Sequence, residues 1–253
     1  MSQNLDNKNL SIERNKGIVL ISAAVILSLA LGGGLMKVGA GFASRANDGI
    51  TVTGSAKVSA TADNAVWTLS VGQSSPTVGT AVSKVADAVK ALSKYLTDGG
   101  IPSDAITLGA VSTYANEEYV NGNNTGRILS YRANRDVTVR TKDVQLVSKL
   151  SQGIGDLLQT GVPVNNYGPQ YYISTLAELR PKLLGEAMKD ARVRAEAITK
   201  ATGGSVGAVI KVSSGPFQVT TQDSTQTADT GAYDTSTIAK TVTSTVSVTF
   251  KTK

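Results

Sequence analysis

The sequence contains no cysteine and no histidine among its 253 residues. Without cysteine the chain can form no disulfide, no thiolate nucleophile and no cysteine metal site. The absence of histidine excludes Ser-His-Asp and Cys-His catalysis and removes the commonest protein ligand for metal ions. We therefore expect no cofactor, and an enzyme built on this chain would have to use a Ser-Lys pair or a pair of carboxylates.

Aromatic and charged residues are also scarce, at 5% and 17% of the chain. The net charge is +6, but beyond residue 45 there are 20 basic and 17 acidic residues. Nucleic-acid-binding domains cluster Lys and Arg with aromatics on one face, and this mild balance predicts no nucleic-acid partner. Abundant Gly, Ala, Ser, Thr and Val indicate a folded envelope protein of strands and small-residue helices.

One long apolar run, Gly17 to Met36, contains 20 residues without a charge. About 20 apolar residues cross a hydrocarbon core roughly 30 Å thick, so we expect a transmembrane anchor over residues 17–38. Residues 1–16 then form a cytoplasmic head, because basic residues concentrate just before the run. Residues 39–49 are a linker, and residues 50–253 form an extracytoplasmic, periplasmic domain.

The alternative is a signal peptide cleaved near Ala43, which would leave a soluble periplasmic protein. An uncleaved signal would act as the anchor. Within the apolar run, Ala24, Ser28 and Gly32 recur at every fourth residue and therefore share one helix face. Small residues at this spacing allow close packing of two helices in the membrane, although such residues are also common in spanning segments generally.

Residues 50–253 show two hydrophobic periods, where alternation predicts strands and spacings of three and four predict helices. The predicted strands cover residues 50–58, 65–71, 106–114, 127–140, 170–173, 206–212 and 241–250. The predicted helices cover residues 76–96, 144–157 and 181–198. We therefore predict an α+β fold in which a mixed or antiparallel sheet packs against about three helices.

Four local features refine this prediction. Ser75 followed by proline is typical of a helix N-cap, and we expect the third helix to start or kink at Pro181 because proline disfavours a helix interior. Residues 117–126 are rich in Asn and Gly and predict a polar loop. The Thr-rich residues 218–240 are long for a loop, which predicts that they are mobile or held by a neighbouring subunit.

Five stretches resemble the SIMPL-domain family in their order along the chain: ITVTGSAKVSATAD, DGGIPSDAI, GRILSYRANRDVTV, AMKDARVRAEAITKATGGSVGAVIKV and VSVTF. The resemblance covers residues 50–250. It implies an α+β fold and assembly into rings or hollow oligomers in the bacterial envelope, without an established reaction. The family includes periplasmic immunogens and proteins named for oxidative-stress defence. The matched family-typical positions are Gly54, Tyr131, Arg132, Ala133, Asp190, Ala191, Arg192, Ala195, Glu196 and Ala197.

The densest charged cluster in the chain is formed by Asp190, Arg192, Arg194 and Glu196. Together with the family-typical Arg132, it is a candidate ionic site or subunit contact. Its spacing of four also fits ordinary pairs on a solvated helix face, which contribute about 0.2–0.5 kcal/mol each. The sequence favours the solvated face.

We expect a non-enzymatic, membrane-anchored protein whose partner is itself, forming a homo-oligomeric ring or shell with a possible link to stress defence. Two other classes stay open. One is a binding module or chaperone for small molecules or unfolded clients. The other is a hydrolase with a Ser-Lys or carboxylate site, which a buried Lys or Asp with a perturbed pKa in a cleft would reveal.

Overall fold

The computed structural model describes residues 49–225 and 230–253. Within them the helices are α1 Val78–Asp98, α2 Val144–Gln159 and α3 Leu176–Ala201. The strands are β1 Ile50–Thr61, β2 Asn64–Ser75, β3 Ile106–Leu108, β4 Ser112–Val120, β5 Asn123–Thr141, β6 Val164–Tyr172, β7 Val206–Ser214, β8 Gln218–Thr221 and β9 Ala239–Thr252. The α+β class and the three helices are confirmed, and the strands form two antiparallel sheets where one was predicted.

The five-stranded sheet has the strand order β3-β5-β2-β6, and β4 also pairs with β5. Helices α1 and α2 share one hydrophobic core with this sheet. Trp67 in β2 is fully buried there, and its indole Nε1 donates to Oδ1 of Asn166 at 2.8 Å. The predicted apolar stripe of α1 is confirmed, since its buried residues include Val85, Val89, Leu92 and Leu96.

Helix α1 begins two residues later than the N-cap prediction required. Ser75 is the last residue of β2, where it pairs with Tyr131, so it is already part of the sheet. Thr77 is the N-cap instead, and its hydroxyl accepts a hydrogen bond from the N–H of Thr80 at 3.3 Å. The cap is therefore of the predicted chemical type at a different position.

Helix α3 begins before its proline. The carbonyl of Thr175 accepts hydrogen bonds from the N–H groups of Glu178 and Leu179 at 3.0 and 3.2 Å. The helix starts at Leu176, and Pro181 lies inside it. A start at Pro181 is wrong, because the bonds to Thr175 already form a first turn before the proline; the predicted kink at Pro181 stays a prediction.

The four-stranded sheet has the order β1-β9-β7, and β8 also pairs with β9. The last strand, β9, is therefore central, because it pairs with β1, with β7 and with β8. Its predicted alternation is confirmed, since every second side chain is buried. These buried residues are Lys240, Val242, Ser244, Val246, Val248 and Phe250.

The contacts divide the described chain into two compact units. The smaller unit comprises residues 49–52, 193–212 and 248–253. The larger unit comprises residues 53–192 and the described part of 213–247. The boundary between the units falls inside four elements, β1, α3, β7 and β9. Each unit is therefore built from separate stretches of the chain.

The Thr-rich segment is held by its own chain wherever it is described. Its first residues form β8, which pairs with β9 from Gln218 opposite Thr243 to Thr221 opposite Lys240. Residues 232–238, which we call the strap, exchange main-chain bonds with three other parts of the larger unit. These bonds are Ala62 N–H to Ile238 O at 2.8 Å, Tyr171 N–H to Thr235 O at 2.8 Å and Val219 N–H to Ala232 O at 2.7 Å. These residues are therefore bonded within the chain, and the prediction that the segment is mobile or held by a neighbouring subunit stays a prediction.

Candidate functional site

Residues 112–130 form a β-hairpin that we call the arm. Strand β4 pairs with β5 from Ser112 opposite Asn134 to Val120 opposite Asn123. On the other side of β5, pairing with β2 ends at Tyr131. Residues 123–130 of β5 therefore have a neighbouring strand on one side only, over a length of about 27 Å at about 3.4 Å per residue.

The turn of the arm has the dipeptide that a tight hairpin requires. Asn121 and Gly122 both have positive φ angles, 50° and 82°. Two consecutive residues with positive φ define a type I′ turn, whose twist matches that of antiparallel strands, and Asn-Gly is its favoured sequence. The prediction of a loop over residues 117–126 is therefore wrong, because polar composition concealed a hairpin that this dipeptide could have revealed.

Polar side chains connect the two strands of the arm. Glu118 accepts hydrogen bonds from the hydroxyl of Thr125 at 2.9 Å and from Nη1 of Arg127 at 3.3 Å. Glu117 accepts a hydrogen bond from the amide of Asn124. Exposed ion pairs contribute about 0–1 kcal/mol, so these contacts orient the strands more than they stabilise the domain.

The arm exposes large apolar side chains on both of its faces. Leu129 is 54% exposed and shares a face with buried Ala133, whereas Ile128, 46% exposed, lies on the opposite face. The exposed set is Tyr114, Tyr119, Val120, Ile128 and Leu129. Over the two faces together, half-exposed side chains of this size leave on the order of 400 Å² of apolar surface. Within the described chain β4 pairs only with β5, and this surface can be buried by a partner.

Helix α3 lies directly on β1 at Gly54. A Cβ at this position would be 2.1 Å from the carbonyl oxygen of Ala187 and 2.4 Å from the nitrogen of Ala191. Next to it, the N–H of Ser55 donates to Oδ2 of Asp190 at 2.8 Å. Glycine is therefore required here for close approach, and Asp190 fastens the helix to the strand at the same point.

A fully buried lysine at the start of β9 was not predicted. The Nζ atom of Lys240 donates to the main-chain carbonyl of Asp234 at 2.7 Å and to its carboxylate at 3.3 Å. The same carboxylate accepts bonds from the N–H of Ser236 at 3.1 Å and from its hydroxyl at 3.0 Å. Since Asp234 belongs to the strap, the ion pair fixes the strap to β9.

The electrostatics of this cluster keep the aspartate charged. Burial acts to raise the pKa of Asp234, but hydrogen bonds from Ser236 and Lys240 and the charge of Lys240 outweigh it and hold the pKa below its ordinary value. A buried lysine was the feature expected of a Ser-Lys enzyme. Here its ammonium contacts a carboxylate, and the hydroxyl of Ser236 bonds to that carboxylate rather than to the lysine.

A comparison with protein families matches residues 50–250 to SIMPL, described as a protein of unknown function (DUF541). The chain belongs to the SIMPL family. The resemblance inferred from its five stretches is thereby confirmed over the same residues. No curated protein matches the chain. The SIMPL match includes the arm, the strap and the contact between α3 and β1.

The predicted charged residues of the SIMPL domain lie on β5 and α3. Arg132 lies on β5, where its Nε donates to Oδ1 of Asn134 at 3.2 Å. Asp190 instead bonds β1 through Ser55. The side chains of Arg192, Arg194 and Glu196 lie on the exposed side of α3. Asp190 therefore contacts the main chain of its own domain, and its role in an ionic site or subunit contact stays a prediction.

The three candidate helix-packing residues of the membrane anchor lie outside the described part of the chain: Ala24, Ser28 and Gly32. Among the helices of the described SIMPL domain, none has the length and apolar character needed to cross a bilayer. Over the same residues, no group of acidic side chains is arranged to hold a metal ion.

The larger unit also contains a polar cavity of about 390 Å³. Its floor is formed by three strands, with Lys57 from β1, Thr220 from β8 and Thr241 from β9, and Asp223 lies in the wall. Hydroxyl and amide groups dominate the remaining lining. A cavity of this kind can hydrogen-bond a small polar molecule, but it lacks the apolar lining that most ligand sites use for affinity.

Proposed function

We propose that this SIMPL protein is a non-enzymatic, membrane-anchored envelope protein that assembles with copies of itself, and that the arm is the contact through which it assembles. The observation that carries the proposal is the apolar surface on both faces of the arm. A surface of this kind on a soluble domain is typical of a protein–protein contact.

The geometry of the arm supports self-association in a second way. The outer edge of β5 presents eight residues, 123–130, without a neighbouring strand. Unpaired strand edges add a further strand readily, and most homo-oligomers close by symmetric use of the same surface. One copy can therefore offer both a strand edge and the flanking Leu129 and Ile128 to another.

The membrane attachment is proposed from the apolar run at residues 17–38, and the envelope location follows from the basic residues that precede it. A link to stress defence is proposed only from the family resemblance. Non-enzymatic action is proposed because the buried lysine, Lys240, bonds to Asp234 and so holds the strap on β9. This contact is structural.

The test is the mass of the detergent-solubilised full-length protein, measured by light scattering after size exclusion. We expect an oligomer, a multiple of the 26.1 kDa protomer, and we expect Tyr119→Ser with Leu129→Ser to reduce it to the protomer. Tyr167→Ser is the matched control, because Tyr167 is 79% exposed on β6, outside the arm. A wild-type protein at protomer mass would refute self-assembly, and an unchanged oligomer in the double variant would refute the role of the arm.

A further inference from the structure

The charges of the chain are divided unequally between the two units. The larger unit's residues, 53–192 and 213–247, include 15 basic and 15 acidic side chains. The smaller unit has one acidic residue, Glu196, against five basic ones, which gives it a net charge of +4. The basic residues are Arg194, Lys200, Lys211, Lys251 and Lys253, and all five are exposed.

The same small unit also exposes aliphatic side chains. On β7, Ile210 is 55% exposed, and Val209 and Val212 are similarly accessible. Because neighbouring strand residues point to opposite faces, both faces of β7 are open in this region. On α3, Val193 and Ile198 are exposed as well. Basic side chains with aliphatic ones among them form the composition of a surface that lies on lipid.

The chain that leads to this unit comes from the apolar run. β1 enters the smaller unit at Ile50, and only 13 residues, 37–49, separate it from Met36. Fully extended, a linker of that length spans at most about 45 Å. Where the proposed anchor is in a bilayer, the linker keeps the start of β1 within that distance of the lipid surface.

We infer that the smaller unit docks on an anionic lipid surface through the face of the sheet that carries Val209 and Lys211 on β7 and Lys251 and Lys253 on β9. This inference rests on the proposed membrane attachment. A second copy of the chain fits the surface less well, because two units of charge +4 repel each other and a lysine lies in the middle of the exposed strand. Each basic residue near an anionic leaflet favours binding by about five-fold, corresponding to about 1 kcal/mol.

The test places a fluorophore in the full-length chain, which has no native cysteine to interfere. Val209→Cys, on the face of the lysines, is labelled with an environment-sensitive dye and the protein is incorporated into vesicles of phosphatidylcholine, with or without 30% phosphatidylglycerol (about one anionic lipid in three). Quenching by spin-labelled lipid measures contact. Tyr167→Cys, in the larger unit, is the control position.

We expect at least a two-fold increase in quenching at Val209→Cys when phosphatidylglycerol is present, and no change at Tyr167→Cys. Replacing Lys211, Lys251 and Lys253 by glutamine, or raising the salt to about 1 M, where the Debye length falls to about 3 Å, should return quenching to the phosphatidylcholine level. Equal quenching in both lipids, or at both positions, would overturn the inference. So would a dye at this position that stays shielded from solvent in detergent, because a contact between copies would then cover it.

Flotation of the same samples separates this inference from the proposed function. Salt-resistant flotation with both lipids supports the anchor, and it leaves the lipid-dependent quenching to decide the docking surface. Flotation only with phosphatidylglycerol, reversed by salt, would support the docking surface and refute the anchor. No flotation with either lipid would overturn both.

Discussion

The ion pair between Lys240 and Asp234 predicts an unequal cost for removing its two partners. The lysine side chain is fully buried, whereas the aspartate is 29% exposed and also bonded to Ser236. Lys240→Met removes the buried charge and leaves a carboxylate that water and Ser236 can still stabilise. Asp234→Asn leaves a buried ammonium without a counter-charge, which is the more costly state.

The magnitudes follow from this asymmetry. Loss of one charge-assisted hydrogen bond costs about 1.5–3 kcal/mol, and the apolar methionine offsets part of it, so we expect about 1–2 kcal/mol for Lys240→Met. For Asp234→Asn we expect about 3–5 kcal/mol, the usual cost of leaving a buried charge unpaired. The double variant should recover about 1–3 kcal/mol relative to the sum of the single variants.

The assay is urea unfolding at fixed protein concentration, followed by the fluorescence of Trp67, the chain's single tryptophan. Stability should also depend on pH through Asp234. Because its folded pKa lies below the ordinary value near 3.8, the contribution is present above that value and is lost as pH falls through the folded pKa. In both single variants the free energy of unfolding should therefore fall less steeply than in the wild type as the pH is lowered below about 4.

Two results would refute this reasoning. One is a larger loss of stability in Lys240→Met than in Asp234→Asn, which would mean that desolvation of the ammonium does not dominate. The other is additivity in the double variant, which would mean that the two side chains contribute independently. Retention of the wild-type pH dependence in both variants would further show that Asp234 is not the titrating group.

Two further predictions concern other contacts of the larger unit. Gly54→Ala should destabilise the domain by about 1–3 kcal/mol through overpacking against α3, whereas Gly185→Ala, where a Cβ meets open space, should stabilise it by up to about 1 kcal/mol; equal urea midpoints would contradict this. The hydrogen bonds from the side chain and N–H of Ser174 lower the pKa of Asp63, so Ser174→Ala should raise that pKa and reduce the stability lost below about pH 4, as NMR titration and acid unfolding can measure.

The parts of the fold that the sequence predicts well are those in which a core imposes a period. The stripe of α1 and the alternation of β9 were readable because one face of each is buried. The arm had no such signal, because neither of its faces packs on a core and its strands therefore need no alternation. The sequence feature that indicates the hairpin is the Asn121-Gly122 dipeptide. A prediction from composition alone does not detect it.

The candidate site was less predictable for a related reason. Lys240 has the same parity as the buried valines of β9, so its burial could have been inferred, but its partner Asp234 could not, because the path of the strap depends on distant main-chain bonds. The charge of the smaller unit arises from three separated stretches of sequence. It becomes visible only when the fold brings those stretches into one unit.

The central position of β9 has a consequence for how the protein is made. Strand β1 is the first of the described strands and β9 the last, yet β9 lies between β1 and β7 in the sheet. In a chain that is synthesised from its N-terminus, β1 and β7 therefore lack their shared neighbour until β9 has been made. A sheet that is completed by its last strand folds slowly, and the unpaired edges of its earlier strands can form non-native pairs. We therefore expect this protein to depend on chaperones during folding more than its size suggests.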